Sequence, residues 1–138
     1  MKNEVVNYVK NKKLFEYKIS NFEVFIKDQE IKNEYFGKIK KLKNYIIFEG
    51  LPLKKVNFFN ESYNKEFDDY LMNTIGYDKL RYFTKDLFLD VYSITSLSEY
   101  FATGFEKYFF GNVIDLKAVC PYLYKKISYL IEQLEEKI

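Results

Sequence analysis

The sequence predicts an α+β domain, a small N-terminal sheet followed by a helical half, and three observations carry this. Phe22, Val24 and Ile26 alternate with Glu23, Phe25 and Lys27, and residues 35–40 and 44–49 read as two further strands. From Val56 onward, apolar residues recur every three or four positions, the spacing of amphipathic helices. Gly50 and Pro52 fall between the two regimes, where turn formers would close a sheet. Strands first and helices after is the α+β order.

Taken in order, residues 3–13 suit a short helix with Val5, Val6 and Val9 on one side. The strands are expected over about 14–49, with Lys38-Ile39-Lys40-Lys41-Leu42-Lys43 as the solvated turn of a hairpin. Val56, Phe59, Tyr63, Phe67, Tyr70 and Leu71 predict a helix over 56–73 that Gly76 ends. Leu80, Phe83, Leu87 and Val91 mark a second helix. Ser96-Leu97-Ser98-Glu99 reads as a capping box opening a third, which runs to Gly111. Pro121 suits the first turn of the last, whose buried face is Leu123, Ile127, Leu130, Ile131 and Leu134.

The 138 residues fit a single domain spanning 1–138, with helices over about 56–138. Fourteen tyrosines and fourteen phenylalanines supply its core. Each buried aromatic removes about 150–250 Å² from water, worth roughly 4–6 kcal/mol gross, so the fold needs no structural metal. A net charge of +2 points to no polyanionic partner, and nucleic acid is not expected. The single cysteine, Cys120, excludes an internal disulfide and a cysteine-rich zinc site, and directly before Pro121 it suits a small buried role. The first 13 residues lack the apolar core of a secretory signal, and no stretch approaches membrane-spanning length. The expectation is a cytoplasmic protein, or one released without a recognisable secretory signal, with no membrane insertion.

One run carries more information than the composition. Residues 92–105 read Tyr-Ser-Ile-Thr-Ser-Leu-Ser-Glu-Tyr-Phe-Ala-Thr-Gly-Phe, followed by Leu116-Lys117, Pro121, Tyr124 and Ile127. This resembles the C-terminal segment of the anthrax lethal-factor-like zinc metallopeptidases, in which a tyrosine stands seven residues before a glutamate. The resemblance implies a zincin-like domain, with Glu99 at the third zinc-ligand position and Tyr92 at that of the tyrosine assisting the reaction. The other two ligands of that family are the histidines of a His-Glu-x-x-His helix, and this chain has no histidine. Within the expected helix 56–73 the sequence reads Phe59-Asn60-Glu61-Ser62-Tyr63-Asn64, which is that pattern with Asn60 and Asn64 at the histidine positions and Glu61 at the base. A neutral amide oxygen is a poor zinc ligand. The family commonly has an acid four residues after the third ligand, where this chain has Thr103.

The resemblance therefore implies a pseudoenzyme without cofactor. Its vestigial ligand positions would be Asn60, Asn64 and Glu99, its vestigial catalytic candidates Glu61 and Tyr92, all facing one cleft. Such a domain would act as a toxin-related or mobile-element-associated module that binds a protein or peptide. Binding would follow the edge strand at 35–40 or its neighbour, against the aromatic walls Tyr63, Tyr92 and Tyr100. Two alternatives are an atypical metal-dependent hydrolase using the oxygens of Glu61, Glu99, Asn60, Asn64 and Asp68, and an accessory protein whose working surface lies away from that cleft.

Overall fold

A computed structural model describes residues 27–137, and within them every regular element is helical. This overturns the α+β expectation and the zincin-like sheet. The helix expected over 3–13 and the strand at 22–26 lie outside the described residues.

The two expected strands at 35–40 and 44–49, with the basic turn between them, form one continuous helix. It is α1, Gln29–Phe48. Ile31, Tyr35, Ile39, Leu42 and Ile46 follow one another at steps of four, four, three and four, and all five are buried. That stripe is a helical face, and the lysines expected at a turn lie on its flanks. Asp28 caps the start, its carboxylate accepting from the N–H groups of Glu30 and Ile31 at 3.0 and 3.2 Å. Gly50 ends it with φ 68°, and the N–H groups of Gly50 and Leu51 reach the carbonyls of Ile47 and Ile46 in a Schellman turn.

Residues 51–64 form no regular element. The helix expected over 56–73 begins only at α2, Lys65–Asp69, and widens into a π-helical turn over Tyr70–Ile75. Gly76, at φ 89°, closes it as expected, its N–H reaching back to Leu71. Helix α3, Tyr77–Thr84, is shorter than the Leu80–Val91 pattern suggested, and a 3₁₀ turn follows at Tyr92–Ile94. Helix α4, Leu97–Phe110, starts at Ser96 and ends at Gly111, as its capping sequence predicts. A separate helix α5, Val113–Val119, fills the stretch before Pro121, where α6, Pro121–Lys137, begins in its expected place.

Helices α3, α4 and α6 pack around α1, and α4 packs on α5 and α6. At the centre Tyr35, Phe88 and Tyr100 form a ring triad with centroids 5.3 to 6.2 Å apart. Two polar residues of α1, one turn apart, tie the junction between α5 and α6. The Glu34 carboxylate accepts from the Tyr100 hydroxyl and, at 2.8 Å, from the Tyr122 N–H in the first turn of α6. The Lys38 ammonium donates to the carbonyls of Leu87 and Val119, the latter ending α5. An anion thus meets a helix start and a cation a helix end, the sense that complements both macrodipoles. Cys120, between them, is fully buried, and burial raises its thiol pKa.

The buried phenols give the fold an alkaline limit. Burial raises Tyr35 and Tyr100 above the ordinary tyrosine value, and at Tyr100 the neighbouring Cys120 and Glu34 act in the same direction. A folded-state pKa above the unfolded one contributes stability that is fully present below pH about 10 and lost as pH rises beyond it. Tyrosinate absorbance during alkaline titration should therefore show two populations. Tyr35 and Tyr100 should form the later one, ionising only together with loss of helical circular dichroism. Smooth titration of all tyrosines with helicity intact would contradict this.

Candidate functional site

The residues singled out by the sequence lie near one another, but not as an inherited zinc site requires. Asn60 is in the loop before α2, and its side-chain amide donates to the Asn57 carbonyl. Asn64 is the N-cap of α2, its oxygen accepting from the Phe67 N–H at 3.1 Å. Short polar side chains that bond nearby backbone compete with a helix at the first position and start one at the second. The two asparagines therefore do not share a helix face.

What this loop does is close the N-terminus of α4. The Asn60 carbonyl accepts from the Leu97 N–H at 3.0 Å, and the Glu61 carbonyl accepts from the Ser98 N–H and hydroxyl at 3.0 and 2.8 Å. Ser96 takes the Glu99 N–H at 3.1 Å. The first three N–H groups of α4, which a helix leaves without internal partners, are all satisfied. The Glu61 carboxylate pairs with Lys32 at 2.8 Å. Glu99 is exposed in the first turn of α4, where its charge favours the helix dipole.

These residues do not fit zinc. Both asparagine side chains are engaged with backbone, Glu61 with a lysine, and among the described residues no group of three or more Cys, Asp or Glu is placed to hold a metal ion. Asp68, an oxygen ligand in the alternative reading, accepts from the Tyr63 hydroxyl at 2.7 Å, a bond that raises the Tyr63 pKa. Tyr92 is 60% exposed, and its ring lies 6.1 Å from that of Tyr77. The Tyr77 hydroxyl donates to the Met72 sulfur at 3.1 Å, and the neighbouring Tyr92 phenol raises the Tyr77 pKa. Of the expected aromatic walls, Tyr63 and Tyr92 face solvent, whereas Tyr100 is buried against Glu34 and unavailable to a partner. The expected edge strand is part of α1, so pairing of a partner along it is ruled out.

A groove that the sequence did not indicate runs along α6 where it meets α4 and α5. Its volume is about 740 Å³, and its walls include Tyr108, Tyr124 and Tyr129, a size in the range of ligand pockets. The Tyr108 and Tyr124 rings lie 6.1 Å apart, and the Lys117 ammonium sits 5.6 Å from the Tyr124 centroid. Lys125 and Lys126 add positive charge against Glu132. Lys126 is held by Asp28 at 3.2 Å, leaving Lys117 and Lys125 to set the field. The Ser128 hydroxyl oxygen, on a residue of this wall, is buried with no hydrogen-bond partner among the described residues, and a buried polar atom left so is costly. The signal is the second face of the last helix, where Lys125 and Tyr129 lie opposite the leucine-isoleucine stripe.

No family model, no curated protein and no solved structure matches this chain.

Proposed function

We propose that this chain is a non-catalytic, helical module that binds a segment of a protein partner, and that the segment lies in the tyrosine-walled groove along α6. The observation that carries this is the groove itself: three tyrosines and the cations Lys117 and Lys125 line one concavity. Tyrosine offers a large amphipathic contact area at low entropic cost, which is why it recurs at binding surfaces. The lysines favour a segment bearing carboxylates. A shared origin with the lethal-factor-like enzymes is proposed for the segment Tyr92–Tyr124 alone, where its motif lies; the proposal includes no activity.

Selection of peptides from a displayed library against the immobilised protein tests the reading. Enriched peptides should combine acidic with apolar residues. Tyr129→Ala with Lys125→Glu should weaken their binding at least about tenfold, the loss of roughly 1.4 kcal/mol. Tyr63→Ala with Tyr92→Ala should leave it unchanged. Peptides lost with the second pair and retained by the first would place binding at the loop around α4 and overturn the groove.

A further inference from the structure

The basic run at 38–43 lies on α1, and the outer face it shares with the end of that helix takes no part in the core or in the groove. Lys41, Tyr45 and Phe48 follow at i, i+4 and i+7 and are exposed, Phe48 by 85%. The Tyr45 ring stacks on Phe83 of α3, with centroids 6.4 Å apart and 14° between the planes. Phe83 meets Tyr82 edge-on at 5.8 Å, and the Lys85 ammonium lies 6.0 Å from the Tyr82 centroid. Tyr82 is 72% exposed, and Ile47 adds an exposed aliphatic group beside Phe48. Three aromatic rings, Tyr45, Phe83 and Tyr82, therefore form a strip across the α1–α3 seam with Lys85 at one end, and Phe48 stands one turn on from Tyr45 along α1.

Charge collects in the same two segments. Residues 38–55 carry six lysines against Glu49, and residues 77–86 carry Lys79, Arg81 and Lys85 against Asp78 and Asp86. That is a net +6 in a chain whose total is +2. Of these cations Lys38 is committed to internal carbonyls, and Lys40, Lys41, Lys54, Lys55, Lys79, Arg81 and Lys85 are exposed.

We propose that this strip docks on an anionic lipid surface, with Phe48, Ile47 and Tyr82 entering the headgroup layer and the lysines around them meeting the lipid phosphates and carboxylates. Apolar side chains fringed by lysine are the chemistry that holds a protein at such an interface. The arrangement suits lipid better than nucleic acid. Phe48, its most exposed group, and Ile47 are purely apolar, and two of its rings pack edge-on instead of offering flat faces to stacked bases. No described helix is long and apolar enough to cross a membrane, so the association is peripheral.

Co-sedimentation of the full chain with vesicles decides this. The protein should sediment with equimolar phosphatidylserine and phosphatidylcholine and stay in the supernatant with phosphatidylcholine alone. Phe48→Asp with Tyr82→Asp, both at exposed positions, should reduce the bound fraction at least about tenfold. Lys41→Glu with Lys85→Glu should weaken binding and flatten its dependence on salt. Circular dichroism of each variant checks that the helices persist. Wild-type protein left in the supernatant overturns the proposal, as does sedimentation that neither pair of changes affects. Binding of a fluorescent single-stranded oligonucleotide in the absence of vesicle binding would assign the strip to nucleic acid instead.

Discussion

Lys38→Met is expected to destabilise the fold by about 3 kcal/mol, since hydrogen bonds from a charged donor contribute roughly 1.5–3 kcal/mol each and carbonyls left unpaired add to the loss. Its ammonium reaches the Leu87 carbonyl at 2.7 Å, the Val119 carbonyl and the Cys120 sulfur at 3.7 Å, joining three chain segments at one atom. Methionine preserves the length of the stem but leaves both carbonyls without this donor and the end of α5 without its cation. Chemical denaturation should show the midpoint falling with the slope unchanged. Glu34→Gln keeps an acceptor for Tyr100 and should cost only about 1 kcal/mol. Equal losses for the two variants would mean that the junction is held by packing and not by these bonds.

Gly104→Val should be comparably damaging for a different reason. A Cβ at this position of α4 would stand 2.3 Å from Leu123 Cδ2 and 2.9 Å from its Cγ, on the facing helix α6. Glycine inside a helix normally sacrifices about 1 kcal/mol relative to alanine, so its presence here marks close approach of two helices. Leu123 is fully buried and has little room to turn away. Overpacking of this kind costs about 1–3 kcal/mol and occasionally more, and valine's branching puts it at the upper end. Adding Leu123→Ala to Gly104→Val should recover part of the stability, although Leu123→Ala alone should cost about 2–5 kcal/mol. Simple additivity of the two losses would contradict the close approach.

How much of this was legible in the sequence differs sharply between the two halves. The C-terminal half announces itself through local chemistry: Ser96 as a cap, Gly111 at an end, Pro121 at a start, and Leu123, Ile127 and Ile131 as a stripe. Each signal acts within a few residues, and the structure uses each in the way its chemistry suggests. Helix α1 passes for two strands when its apolar positions are read in short pieces. Tyr35, Ile39 and Ile46 favour strands by propensity, yet with Ile31 and Leu42 they keep helical spacing over 16 residues, all buried. Asp28 in front and Gly50 behind are ordinary helix stops, visible once the stripe is read whole.

The helix expected over 56–73 failed for the opposite reason. Its apolar recurrence is real, but Asn57 and Asn60 bind local backbone, and Asn64 places the helix start at Lys65. The site reading depended on that helix, so its geometry failed with it, even though residues 60–61 and 97–99 do come together. The groove on α6 is not legible in the buried stripe of that helix. Its walls come from three helices, and the one between the capping sequence and Pro121, α5, carried no expectation at all.

The central claim is that a partner segment occupies the groove along α6 and not the loop around α4. The most direct test is amide chemical-shift mapping on the ¹⁵N-labelled protein, titrated with a peptide recovered from the library. The expected result is saturable shifts at Lys117, Lys125, Ser128 and Tyr129, with residues 57–64 and 92–99 unmoved. Shifts confined to residues 57–64 and 92–99, with α6 silent, would contradict it.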